Sequence, residues 1–499
     1  MCKTGEIAVI FTIISVCPTA LFAATIHVPS EQPTIQSGID EAVNGDVVIV
    51  APGTYTGDGN RDIDFGGKLI VLMPEDRAAI TTIDCQGTEA DPHRGFYFHR
   101  GEDTTAVIVG FTVRGGYGLF DGPDGWSTGG AILCDSSSSP KIVNCAIEGN
   151  TAFNAGGGLC CLDSSTPVIV DCTFENNSVT NDDWVATPGY GGAVRCYQSS
   201  PMLRNCTIAG NRADVGGGMS CNESDPVLDN CTFAGNTAII LTGFEPISPG
   251  VGGGMHLYCS SPQLMSCVFS GNICENFGVM SAADAVGGAI ACFYGAPMLE
   301  NITFYGNVAE SYGSINLGLG GALYCFNADM LIKRSIFAFN AGVQAIYVAY
   351  DYCSDTVVIP TLTCCNIYGN DSGDWSGYIA DQLGQFGNFS ANPLFCDAWN
   401  GNLHINSGSP CAERNNVCGK LIGAHLSGCG FVCGDVDGGG WLNILDVSYL
   451  INFIYKNGPP PVIPGSDDTD GSGGVNILDA THIIKYLYWN GPLPVCGGR

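Results

Sequence analysis

Gly191-Gly192-Ala193-Val194-Arg195-Cys196, then Ser199-Ser200-Pro201, then Leu203-Arg204-Asn205-Cys206-Thr207-Ile208-Ala209-Gly210-Asn211 is one unit of a repeat, and this repeat decides the fold. Between residues 100 and 370 the unit recurs as Gly-Gly-Ala-x-x-Cys, Ser-Ser-Pro, and apolar-x-x-Cys-Thr-Phe/Ile-x-Gly-Asn. Aligned units give one column of Cys134, Cys161, Cys196, Cys221, Leu257, Cys292 and Cys325. A second column is Cys145, Cys172, Cys206, Cys231, Cys267, Ile302, Ser335 and Cys365. A third is Ile147, Phe174, Ile208, Phe233, Phe269, Phe304, Phe337 and Ile367, with Thr173, Thr207, Thr232 and Thr303 between the two. Alternation of period two in short segments is β structure with one face inward. Each unit closes on Asn: Asn150, Asn177, Asn211, Asn236, Asn272, Asn307, Asn340 and Asn370. Asn tolerates left-handed turns, and stacked amides can bond along a column. Units of this length with two or three short strands each are coils of a parallel β solenoid.

The pattern resembles the right-handed parallel β-helix of pectate-lyase-like proteins, over roughly residues 25–430. The resemblance implies an all-β solenoid and says little about activity. Pro33-Thr34-Ile35-Gln36 to Ala42-Val43 reads as a short amphipathic helix before the strand Val47–Val50. It resembles the family's N-terminal cap, which covers an open sheet edge. Asn392-Pro393-Leu394-Phe395, Leu403-His404-Ile405 and Gly408-Ser409-Pro410 resemble the family's final coils.

Lys3, the apolar run Ile7–Val16 and Ala20–Ala24 read as a secretory signal, so residues 1–24 are expected to be removed and the protein to be secreted or held at a cell surface. Setting aside Cys2 and Cys17 leaves 24 cysteines. In an exported chain these suggest disulfides. The column cysteines, however, sit where Leu and Ile also stand, so they are read as stacked thiols serving as small apolar groups. Neighbours in register on parallel strands are poorly oriented for a disulfide. Cys411, Cys418 and Cys429 are better disulfide candidates, and Cys433 and Cys496 are placed to clasp the C-terminal unit.

That unit, residues 431–499, carries two matching stretches 33 residues apart. Asp435, Asp437, Asn443 and Asp446 occupy positions 1, 3, 9 and 12 of one loop; Asp468, Asp470, Asn476 and Asp479 occupy them in the other, each with Gly at position 6. A loop of about twelve residues with this spacing wraps calcium, which needs roughly six to eight oxygens. Trp441 and Gly474 fall where a backbone carbonyl would contribute, and Ser472 is an oxygen donor at position 5. Gly439 at position 5 of the first loop offers no such donor, so that site is expected to bind more weakly or through water. Each loop runs into an apolar segment of helical period that stops at Asn-Gly-Pro.

The duplicated loop and helix resemble a type I dockerin, whose loops also tolerate Asp at position 12. The resemblance implies two calcium ions and a cohesin-type partner module. Ile444/Leu445 and Ile477/Leu478 would be the recognition residues, and near-identical pairs would permit two binding orientations.

Net charge is −30 with only 18 Lys and Arg, which argues against nucleic acid and anionic membranes as partners. It is also a poor surface for polyanions such as pectate or alginate unless calcium bridges the charges. No segment after the signal has the length of a membrane span.

Insertions of variable length, at 117–128, 178–190, 237–251, 273–286 and 308–319, leave the coils at one corner, which in solenoids is often the binding face. Trp126, Trp184 and Tyr190 are the glycan-stacking candidates there. Asp182, Asp183 and Glu245 are the candidate catalytic carboxylates. No Gly-His-Gly, no adjacent Asp-His and no lyase-like arginine pair occurs. Arg195 and His256 are read as outward strand residues among ordinary surface positions.

The chain therefore reads as an exported β-helix protein that acts on or binds polysaccharide and attaches through a calcium-dependent dockerin. Hydrolase or lyase activity, a non-catalytic adhesive role and a structural cell-envelope role all remain open.

Overall fold

The computed structural model describes residues 23–76, 81–120, 127–180, 188–240, 250–276, 284–312, 317–429, 433–438, 442–456, 458–462, 465–489 and 491–496. Each coil contributes strands in the order of the repeat. Val194–Tyr197 lies in a first sheet of ten strands, Met202–Arg204 in a second of twelve, and Thr207–Ala209 in a third of eleven. Arg212–Ala213 belongs to a smaller fourth sheet of six. Pairing between coils is parallel and in register, so Cys196 lies against Cys161 and Cys221, and Ile208 against Phe174 and Phe233. The aligned columns are physical columns, and their side chains form one continuous core. Phe269 stacks between Phe233 (4.6 Å) and Phe304 (5.3 Å).

The Gly-Gly pair has a steric cause. Gly191 sits at φ +68°, and a Cβ on Gly192 would lie 2.2 Å from the carbonyl oxygen of Gly217 in the next coil. The amide column is a ladder. Asn211 Nδ2 donates to Asn236 Oδ1 (2.9 Å) and to the carbonyl of Phe174 (2.9 Å), and its backbone N–H also reaches Asn236 Oδ1 (3.0 Å). The pattern repeats along the column and ends on Asp374 Oδ1, which takes the place of another amide. The ladder asparagines are not left-handed; the preceding residue is, as with Gly210 (φ 63°), which frees the Asn side chain to point inward.

The second cysteine column does more than fill space. It follows a one-residue kink at positive φ, such as Asn205 (53°), between the second and third sheets. The Cys206 thiol donates back across that kink to the carbonyl of Arg204 (3.3 Å), and Ser335 Oγ does the same to Lys333 (2.9 Å). The column thiols are free and buried. Burial pushes Cys325 up to about 12, so it stays a thiol and a poor nucleophile. Among the 18 free cysteines described, a bulky thiol reagent should titrate only the exposed Cys259 and Cys353 in native protein, and the rest after denaturation. Peptide mapping that found Cys145, Cys172, Cys206 or Cys231 in a disulfide would contradict this.

At the N-terminal end, helix α1 (Ile35–Glu41) is capped by Thr34, buries Ile35 and Ile39 in the core and bonds the backbone of Asp64 through the Gln36 side chain. The C-terminal end differs from expectation. Phe389 still pairs in parallel with Asn366, but residues 392–429 do not continue the coils. Phe395–Asp397 pairs antiparallel with Asn402–Asn406, and this segment folds back over the outer face of the third sheet. Gly423 N–H bonds Arg334 O (2.7 Å), and Ala424 N–H bonds Thr303 Oγ1 (2.9 Å). Phe395, Leu403, Ile405 and Ile422 bury themselves on Val268, Ile336 and Ala338, and of these Val268 and Ile336 stand where outer threonines stand in earlier coils. Disulfides Cys364–Cys418 and Cys396–Cys429 pin the segment. Cys411, expected in a disulfide, is instead a free thiol buried under this strap.

Candidate metal centre and outer sheet face

The C-terminal unit holds helices α2 (Ile444–Lys456) and α3 (Ile477–Trp489), packed through Val447, Leu450, Ala480 and Ile483 and closed by the Cys433–Cys496 disulfide. Each helix starts in the same way. Asn443 Oδ1 accepts the N–H of Leu445 (2.7 Å), while Asp446 Oδ2 accepts the N–H of Asn443 (2.8 Å). Asn476, Leu478 and Asp479 repeat this at 2.9 and 2.8 Å. This reciprocal capping fixes the last loop carboxylate at the helix N-terminus. The first two loop carboxylates then converge on it. Asp435, Asp437 and Asp446 bring one oxygen each within 4.8 Å of one another, and so do Asp468, Asp470 and Asp479.

Such proximity is unfavourable without a cation. Burial, and secondarily the charge of Asp437, push the Asp446 carboxyl up to about 6, against the N–H groups that hold it down. Asp468 Oδ1 is buried and accepts no hydrogen bond. Three hard oxygen donors and an orphaned buried oxygen fit a calcium-sized cation. Asn443 and Asn476 spend their side-chain oxygens as helix caps. Asn476 Nδ2 bonds Gly474 O (3.0 Å), and Ser472 Oγ donates toward the same carbonyl (3.5 Å). In this arrangement the three carboxylates of each loop are the convergent groups, and Asn443, Ser472, Gly474 and Asn476 support them. Trp441 lies outside the described residues. Ile444, Leu445, Ile477 and Leu478 are all exposed, in matching pairs at the two helix starts.

A second constellation lies on the outer face of the first sheet. One outward row, in register, runs Leu133, Cys160, Arg195, Ser220, His256, Ala291, Tyr324 and Tyr347. Beside it runs Tyr197, Asn222, Tyr258, Phe293 and Phe326. The reading of Arg195 and His256 as ordinary surface residues is wrong: they are 4% and 8% exposed. The cause is the residue before each Gly-Gly pair. Tyr190, Val215 and Val251 bridge from coil to coil, and with Val286 and Leu319 they form an apolar wall against this row. Arg195 Nη1 donates to Ser220 Oγ (2.8 Å), which lies 3.1 Å from His256 Nδ1. Burial, reinforced by Arg195, depresses His256 to about 3, so the imidazole is neutral. Tyr190, expected as an open stacking platform, instead has the Arg195 guanidinium over its ring at 4.5 Å.

Further along, the face is aromatic. Phe293 contacts Tyr324 (5.3 Å between centroids) and Phe326 (6.2 Å). Tyr324 stacks with Tyr347 (5.8 Å, 4° between planes). Tyr294 meets Tyr258 and Phe326 edge-on, at 5.8 and 5.5 Å. Tyr258 and Tyr294 are 42% and 40% exposed. Tyr258, Phe293 and Phe326 share one column of the repeat, a signal present in the sequence that only alignment in register turns into a surface. Trp126, Asp182, Asp183, Trp184 and Glu245 lie outside the described residues. The coils also join histidine to aspartate across long separations, with His93 Nδ1 2.5 Å from Asp62 and His99 Nε2 3.2 Å from Asp64. Adjacent residues in the sequence could not show either pair.

A family model for the right-handed beta helix region matches residues 102–309. The solenoid is a right-handed parallel β-helix. Among solved structures the β-helix is similar to the pectate lyase Pel9A, at 13% identity and TM-score 0.33, covering 63% of this chain and 75% of that one. It is similar to a rhamnogalacturonan lyase at 13% and 0.40, covering 69% and 87%. It is similar to the PL6 family alginate lyase AlyGC at 12% and 0.33, covering 71% of this chain and 54% of that one. At this identity the likeness is one of fold. Comparison with curated proteins gives no match. Among the described residues no helix is long and apolar enough to cross a membrane.

Proposed function

We propose that this is an exported polysaccharide-binding protein. The outer face of the first β-helix sheet would meet the glycan, and the C-terminal unit would hold two calcium ions and dock, dockerin-like, onto a cohesin-type module of a scaffold or cell surface. The observation that carries the first half is the connected run of rings from Tyr258 and Phe293 to Tyr347, with Tyr258 and Tyr294 open to solvent. Ring faces on a rigid sheet stack on sugars with little ordering cost. The second half is supported by the paired acidic loops and the exposed Ile444/Leu445 and Ile477/Leu478. The insertions enter each first-sheet strand, so Trp126 and Trp184 are candidates to extend the platform, and Asp182, Asp183 and Glu245 are the carboxylates a hydrolytic or eliminative reaction would call on.

Retention of the full chain on a panel of immobilised polysaccharides tests this. Tyr258→Ala/Tyr294→Ala should weaken retention at least tenfold. Such partly exposed rings should cost only about 1 kcal/mol of stability each. Loss with Trp126→Ala/Trp184→Ala alone would move the site to the insertions. Retention unaffected by either pair, or absent for every glycan in wild type, would overturn the proposal and favour an adhesive or structural role.

A further inference from the structure

If this sheet face binds polysaccharide, as proposed above, its charge and its rings restrict the chemical class of glycan. Residues 213–332 contain no Lys or Arg and ten Asp and Glu, and these coils carry Tyr258, Phe293, Tyr294, Tyr324 and Phe326. The one histidine among them, His256, is buried and neutral. Carboxylates border the rings on both sides. On one side, Asp284 Oδ1 accepts the N–H of Leu317 (2.7 Å). After burial, its charge is among the causes that raise both the Tyr324 and Tyr347 hydroxyls. On the other side, Asp351 is anchored by Asn327 Nδ2 (2.7 Å), Ser354 Oγ (2.7 Å) and the N–H of Cys353 (2.8 Å). These donors hold it at about 2, so it is ionised at any working pH. Asp351 in turn is among the charges that raise Tyr294.

We infer that the face recognises a glycan bearing protonated amines, an amino-sugar polymer, and not a polyuronate. A polyuronate would bring its charges against fixed carboxylates with no described cation beside the rings, since Arg195 lies further along the row, buried under Tyr190. An ammonium group gains from both features at once. It is attracted to tyrosine faces through the ring quadrupole and to the flanking carboxylates by charge. A neutral sugar gains from the rings alone.

The full chain, in calcium-containing buffer at a pH where the amines are charged, is titrated with three probes of equal length: oligomers of glucosamine, of N-acetylglucosamine and of galacturonic acid. The glucosamine oligomer should bind at least tenfold tighter than its acetylated form, and the galacturonate should not bind. Tyr258→Ala/Tyr294→Ala keeps the charge of the chain, and it should weaken glucosamine binding at least tenfold. Asp284→Asn should weaken it several-fold. Undiminished binding in the tyrosine variant would mean unspecific attraction of a polycation to an acidic protein, and would overturn the inference. Equal or tighter binding of the acetylated or uronic oligomer would overturn it too while leaving the polysaccharide reading in place. No binding of any probe or of the wider panel would overturn both.

Discussion

Removing calcium from the full-length protein should abolish most of its α-helical circular dichroism and leave the β signal in place. Among the described residues, helix resides in α2 and α3, of 13 residues each, and in the seven-residue α1. The two long helices begin at loops whose three carboxylates lie within 4.8 Å of one another. A unit of about 60 residues buries little core, and ion binding to such a loop is in large part its folding free energy. Without the ion, the buried Asp435, Asp446, Asp468 and Asp479 face like charges within loops that the Cys433–Cys496 bridge and a small core hold together. Chelation should therefore melt α2 and α3, and added calcium should restore them. Asp468→Ala should harm affinity more than Asp435→Ala, because the second loop has the additional oxygen of Ser472 while Gly439 supplies none to the first.

Asn236→Ala should be among the most damaging single substitutions in the β-helix. Asn236 Oδ1 accepts both the N–H and the Nδ2 of Asn211, at 3.0 and 2.9 Å, and Asn236 Nδ2 donates to Ile208 O (2.8 Å) and Asn272 Oδ1 (2.9 Å). Asn211, Asn236 and Asn272 are fully buried. Each buried polar group left unpaired costs roughly 1–3 kcal/mol, so the loss should reach at least about 3 kcal/mol. Thr232→Ala, on the outward side of the strand next to core Phe233, should cost under about 1 kcal/mol. Denaturation followed by the β signal checks both. A loss below about 1 kcal/mol for Asn236→Ala would mean that the ladder decorates the coils without holding them together.

The repeat made the β-helix legible because each column imposes one physical demand in every coil. Cys196, Phe233 and Asn236 stand for those demands, and each lies where the aligned sequence puts it. The acidic loops were legible because the spacing of their carboxylates within one segment is local. What escaped depended on contacts the repeat does not encode. Arg195 reads as outward by alternation, and it is outward; its burial comes from Tyr190 in the preceding turn. The return of residues 392–429 over the third sheet was masked by strand-like apolar spacing, which suits an antiparallel strap as well as a coil. Its clue was the change from outer Thr to Val268 and Ile336. Cys411 looked like its disulfide-bonded neighbours because sequence does not show that Ile422 and Phe395 bury it.

The central claim is that the two C-terminal acidic loops are calcium sites on which the attachment unit folds. Calorimetric titration of the calcium-stripped full chain tests it most directly. The account predicts two ions per wild-type chain, one in Asp468→Ala/Asp470→Ala with the weaker site remaining, and none when Asp435 and Asp437 are also replaced by Ala. Helical signal should return in step with occupancy. A chain that bound no calcium, or whose stoichiometry ignored these four substitutions, would contradict it.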